Sequence, residues 1–188
     1  MNAVFTPKRT RITTDRYQRM VAAGVLTKRD RVELIEGEMI DMAPIGAGRV
    51  AITGKLNQLL VLALGKAALV IPGCPVNLGD LSEPQPDLTI LKPRADFYAT
   101  QLPEAADALL LIEVSDSTLA YDRGVKLFLY ARYGVAEYWI VNIAARRIEI
   151  YREPTGPGYA KRLEAQSGEV ISPQAFPDVK VPVREIFA

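Results

Sequence analysis

The run Ala108-Leu109-Leu110-Leu111-Ile112-Glu113-Val114 constrains this chain more than any other stretch. It is apolar at every position but one and shows no alternation, the pattern of a central strand covered on both faces. A carboxylate in such a strand is costly to bury unless it is paired or binds a metal. A second apolar run, Leu88-Thr89-Ile90-Leu91, opens directly after Pro86-Asp87. Lys126 follows on a stretch, Tyr121 to Tyr133, that reads as a helix. Two carboxylates at strand ends with an ammonium nearby are a way to hold a divalent cation and a water beside a phosphate. Asp87, Glu113 and Lys126 are therefore the first candidates for chemistry. The plainer alternative for Lys126 is an exposed i,i+4 pair with Asp122, an ordinary surface feature of helices.

Histidine is absent from the chain. That excludes Ser-His-Asp and Cys-His nucleophile systems, His-ligated zinc and facial-triad iron. Any acid–base chemistry must use Asp, Glu, Lys, Tyr or water. At 188 residues, 49% hydrophobic and 24% charged, the chain suits one globular domain, residues 1–188. No apolar run reaches the roughly 18 residues of a membrane span; Asn57 to Ala68 comes closest and is cut by Gly65 and Lys66. The start, Met1 to Arg11, lacks the apolar core of a signal peptide. Cys74 is the only cysteine, which fits a reducing compartment. The expectation is a cytoplasmic protein with no membrane contact. The net charge is only +1, whereas phosphate-dominated binders usually carry a basic surplus. Basic residues come in small pairs, Lys8-Arg9, Lys28-Arg29, Arg146-Arg147 and Lys161-Arg162, which read first as solvated charge.

Thr13 or Thr14 caps a short helix through Ala23, with Gly24 as its stop. Arg31 to Ile35 and Glu38 to Met42 read as strands around a Glu36-Gly37 turn. From Arg49 to Leu64, Val50, Ile52, Leu56, Leu59 and Leu60 recur at helical spacing and predict one broad buried face. Leu69 to Leu78 is broken by Pro72, Gly73 and Pro75 and fits only an edge strand or a bulge. After the polar stretch Asp96 to Asp107 and the central strand, Ser115 to Thr118 can cap the Tyr121–Tyr133 helix. Glu137 to Ile143 and Arg147 to Tyr151 form a hairpin, Tyr159 to Leu163 adds a strand, and a Pro-rich tail ends the chain. The order is α+β, with a mixed central sheet flanked by helices and an N-terminal β-hairpin.

Several of these stretches are similar to the Uma2 family (DUF820), restriction-endonuclease-like proteins of bacteria. Arg31-Val32-Glu33-Leu34-Ile35-Glu36-Gly37-Glu38 matches its opening hairpin, and Pro84-Gln85-Pro86-Asp87-Leu88 its first acidic strand. Glu113 to Thr118, Tyr121 to Lys126 and Tyr130 to Val141 match its longest signature. The resemblance covers roughly Thr13 to Pro154. It implies the PD-(D/E)XK nuclease fold, with Asp87, Glu113 and Lys126 as the core triad and Glu33 as an additional acid. Ser115 stands where the standard motif places its lysine, and Lys126 on the next helix supplies it. Arg49 stands where relatives carry a histidine.

The implied activity is a metal-dependent endonuclease acting on DNA. Asp87 and Glu113 bind Mg²⁺ or Mn²⁺, Lys126 orients water or stabilises charge, and Tyr130, Asp122 and Ser115 support the site. A homodimer is expected, since many duplex cutters need two sites. The rival expectation is a catalytically inactive nucleic-acid-binding or assembly module on the same fold, favoured by Arg49 and the near-zero charge. Trp139 and Tyr138 read as packing residues, and Cys74 as an inert, partly buried thiol.

Overall fold

The computed structural model describes residues 9–27 and 29–188; Lys8 and Lys28, each half of a basic pair, lie outside the described residues. The chain divides into two compact units, Met1–Met42 with Leu78–Pro84, and Ala43–Asn77 with Gln85–Ala188.

In the first unit, α1 (Thr14–Ala22) begins where the Thr13 side chain accepts the Arg16 backbone N–H at 3.3 Å. It ends at Gly24, whose φ of +71° is the left-handed stop that glycine adopts without strain. β1 (Val32–Ile35) and β2 (Glu38–Asp41) form the expected hairpin. Glu36 and Gly37 both have positive φ, the requirement of a two-residue type I′ turn. A Cβ on Gly37 would lie 2.5 Å from the Arg11 Cβ, so only glycine fits. Glu33 does not face outward as hairpin acids often do; its residue is 4% exposed. Glu83, equally buried, accepts Gln18 Nε2 on Oε1, while its Oε2 has no hydrogen-bond partner among the described residues. Burial pushes the Glu83 carboxyl above its ordinary value, against the Gln18 hydrogen bond.

The second unit is built on a six-stranded sheet in the order β3-β4-β5-β6-β7-β8. Its strands are β3 (Leu69–Pro72), β4 (Leu88–Leu91), β5 (Ala108–Ser115), β6 (Glu137–Asn142), β7 (Arg147–Pro154) and β8 (Tyr159–Gln166). Only β5 and β6 run parallel; the other neighbours are antiparallel. β3, with its proline, lies at the edge, where no second neighbour needs the missing N–H. β5 and β6 are central and buried along nearly their whole length, as the apolar run predicts.

α2 (Ala47–Leu64) packs on one face of the sheet. Its buried stripe is Ile52, Leu56, Leu60 and Leu64, spaced four apart, and it is narrower than the sequence pattern suggests: Val50 is exposed and Leu59 only half-buried. Leu88, Ile90, Leu110, Ile112, Val114, Trp139, Val141, Ile148 and Ile150 meet that stripe. Trp139 is fully buried there, a packing residue as read. The C-terminal stretch is no mere tail: β9 (Val170–Ile171) pairs with β10 (Val181–Pro182), and a short helix, Val183–Ile186, adds Val183, Ile186 and Phe187 to this core.

Candidate active site

The site grows from strand register. Leu88 lies opposite Ile112 in the antiparallel β4–β5 pair, so Asp87, one residue earlier, comes opposite Glu113. Leu88, Ile112 and Val114 point into the α2 core. Alternation therefore turns Asp87 and Glu113 together to the other face. There they share one guanidinium. Arg49, in the first turn of α2, donates Nε to both Asp87 oxygens at 2.8 and 3.1 Å, and Nη2 to Oδ2 at 2.7 Å. The same Nη2 lies 3.9 Å from Glu113 Oε2. Asp87 Oδ2 also accepts the Val114 backbone N–H at 2.8 Å. Glu113 Oε1 accepts Lys126 Nζ at 2.8 Å and the Tyr130 hydroxyl at 2.9 Å. The four charged side chains are 11% (Arg49), 13% (Asp87), 1% (Glu113) and 5% (Lys126) exposed. Burial opposes the charge on Arg49, but hydrogen bonds and the charges of Asp87 and Glu113 outweigh it and hold the guanidinium firmly protonated.

The segment carrying Lys126 is not one regular α-helix. A single α turn, α3 (Leu119–Tyr121), leads into a π-helical turn, Asp122–Lys126, before α4 (Leu127–Arg132). The Leu127 N–H reaches back five residues to the Asp122 carbonyl. Such turns are rare and recur at functional sites. Asp122, Lys126 and Tyr130 are all buried, while Val125 and Phe128 remain exposed. The exposed-pair alternative for Lys126 therefore fails: the ammonium is buried on Glu113. Asp122 Oδ2 accepts the Ser115 and Thr118 hydroxyls at 2.7 and 2.6 Å, tying the π turn to the end of β5.

A family model described as "Putative restriction endonuclease", Uma2, matches residues 14–184. The chain belongs to the Uma2 family. A crystal structure of "a putative nuclease belonging to DUF820" from Anabaena variabilis ATCC 29413 aligns with a TM-score of 0.72 at 14% identity. The match covers 94% of this chain and 97% of that one. At that identity the likeness shows the fold alone, here a mixed sheet flanked by helices. No curated protein matches the sequence.

Restriction-endonuclease-like families generally use a divalent metal, and this Uma2 site can be tested for one. Among the described residues, no group of three or more His, Cys, Asp and Glu side chains could hold a metal ion. The donor set is instead two carboxylates, oxygen ligands of the kind hard cations take. A cation already bridges them, in the form of the Arg49 guanidinium. The residues thus fit a positive charge between Asp87 and Glu113, and these two carboxylates would be the ones to hold a divalent cation. Asp87, Glu113 and Lys126 are brought together in the second unit; Glu33 belongs to the first. Tyr130, Asp122 and Ser115, expected as supports, touch the triad or its helix directly. The Arg49–Asp87 pair escapes sequence reasoning, because 38 residues separate them and no periodicity links them. Among the described residues, no helix is long and apolar enough to cross a membrane.

Proposed function

We propose that this protein hydrolyses phosphodiester bonds in DNA with a divalent cation, Mg²⁺ or Mn²⁺, held by Asp87 and Glu113. One observation carries the reading: a buried lysine fixed on a buried glutamate, beside an aspartate with which that glutamate already shares a cation. The cation would supply Lewis-acid neutralisation of the phosphate and of the nucleophile. Glu113 is oriented by Lys126 and Tyr130, and Asp87 by the Val114 N–H, so both carboxylates are set before any ligand arrives. Lys126 is a compact point charge in a water-poor place, suited to stabilising negative charge that gathers on the phosphoryl oxygens. In hydrolysis a P–O bond forms to water and the P–O bond to the leaving alkoxide breaks. With no histidine in the chain, the proton of the attacking water passes to a second water or to Lys126, and a water protonates the leaving oxygen.

The rival, a non-catalytic nucleic-acid-binding module, draws on the fact that Arg49 already neutralises Asp87. Cleavage of a panel of duplex, single-stranded and branched DNA with Mg²⁺ or Mn²⁺ separates the two. Metal-dependent products lost in Glu113→Gln support the enzyme. DNA binding without cleavage by the wild type at any metal concentration supports the module. Glu33→Gln in the same assay tests the additional acid, with reduced cleavage expected. Light scattering tests the homodimer that paired cuts in a duplex would use.

A further inference from the structure

We infer that Arg49 is an exchangeable counter-ion: it holds the cation position between Asp87 and Glu113 until a divalent metal enters, and then passes its guanidinium to a phosphodiester. The inference rests on the metal-dependent reading of the site and deepens it.

Four observations carry it. First, the position is taken. Arg49 grips both Asp87 oxygens and lies within 3.9 Å of Glu113 Oε2. A metal bound through the same oxygens and the guanidinium cannot occupy that space together. Second, the formal charges of Arg49, Lys126, Asp87, Glu113 and the neighbouring buried Asp122 sum to −1. A divalent cation added to this buried group would leave one excess positive charge, which a phosphodiester held by the Arg49 guanidinium offsets. Third, the departure of Arg49 leaves both carboxylates anchored. Asp87 keeps the Val114 N–H, and Glu113 keeps Lys126 and Tyr130. Fourth, the planar fork that binds a carboxylate in two places binds a phosphate the same way, so the exchange replaces like with like. Arg49 also sits in the first turn of α2, where the helix dipole disfavours a cation.

Metal and nucleic acid then assist each other. Arg49 opposes metal binding while it sits on Asp87, and a phosphodiester that captures it removes the competitor. By linkage the metal tightens the phosphodiester by the same factor.

The test is calorimetry with Ca²⁺, which probes binding without requiring turnover, on wild type, Arg49→Gln, Arg49→Lys and Glu113→Gln. Each protein is titrated alone and with a short DNA duplex, and circular dichroism confirms that each is folded. Arg49→Gln alone should bind Ca²⁺ about tenfold more tightly than wild type, within the 5–150-fold range of ordinary site couplings. Arg49→Lys should stay within about threefold of wild type, because it keeps the charge. The duplex should tighten Ca²⁺ more in wild type than in Arg49→Gln. If Arg49→Gln binds Ca²⁺ no better than wild type while Glu113→Gln binds it worse, the metal site stands and the exchange is overturned. If none of the proteins binds Ca²⁺, with or without duplex, the metal-dependent reading falls and the exchange with it.

Discussion

Two buried glutamates on neighbouring strands of one sheet have opposite surroundings. Glu137 opens β6 and is wholly buried. Its Oε1 accepts Trp139 Nε1 at 2.8 Å and Arg152 Nε at 2.7 Å, and its Oε2 accepts the Gln174 N–H at 2.6 Å. One carboxylate meets its own guanidinium, cross-strand in register, and the Gln174 N–H ties it to the C-terminal segment. That is a brace. Glu113, one strand away, shares its surroundings with a second carboxylate, and the two divide one guanidinium between them. A buried carboxylate in a sheet is thus no sign of chemistry by itself. What sets Glu113 apart is a second, nearly buried carboxylate on the same nearly buried guanidinium, the arrangement on which the proposed exchange rests. Glu149, buried on β7, also shares a guanidinium, since Arg162 meets both it and Glu164, but that arginine and Glu164 are exposed, and Arg123 and the Tyr151 hydroxyl hold Glu149 as well.

The largest expected effect tests the brace. Glu137→Ala leaves Arg152 uncompensated and should lower stability by about 3–5 kcal/mol, read by chemical denaturation. A loss below 1 kcal/mol would erase the contrast. The next tests the site. Glu113→Gln should cut cleavage by about 10²–10³-fold, the scale of removing one preorganised electrostatic contact, while the far-UV circular dichroism stays unchanged. Lys126→Ala belongs with it. An exposed lysine could be removed at almost no cost in stability, but this one is buried on Glu113. It should therefore lower the melting temperature as well as the rate, and Lys126→Arg should restore more stability than activity.

A smaller effect separates well-satisfied from poorly satisfied carboxylates by pH. Burial holds Glu83 above its ordinary value. Its contribution to stability is complete below the unfolded pKa, about 4.3, and is lost as pH rises through the folded value. Glu83→Gln should therefore gain on wild type as pH climbs from about 4 to 7. For Glu149, burial pushes upward, but Arg123 and Tyr151 hydrogen bonds and the arginine charges win, and the carboxyl lies below its ordinary value. Its contribution is present above the unfolded pKa and is lost as pH falls through the folded one. Glu149→Gln should fall behind wild type at neutral pH and recover toward it on acidification. Urea titrations across pH 3–7 read both slopes, and parallel profiles for the two variants would break the distinction.

Much of this was legible because it is local. The apolar run of β5, interrupted only by Glu113, the Glu36-Gly37 turn and the Pro72 edge strand each follow from period, positive φ or a missing N–H. The acids were legible because Glu113 interrupts a run that has no other reason to hold a charge. What escaped depends on distance along the chain or on irregular helix. Arg49 reaches Asp87 from a different element. The Asp122–Lys126 π turn has no signature in side-chain spacing, so the sequence alone left the exposed i,i+4 pair with Asp122 open as an alternative for Lys126. The C-terminal helix Val183–Ile186 hid among prolines, although its apolar residues complete the core beside α2.

The most direct test of the account is an anomalous difference map from crystals of the protein grown with Mn²⁺ and a short, uncleaved phosphorothioate duplex. The account predicts a single strong peak between the Asp87 and Glu113 carboxylates, Lys126 still on Glu113, and the Arg49 guanidinium moved from Asp87 onto a phosphate. Bound duplex with no peak there, and Arg49 still on Asp87, would contradict it.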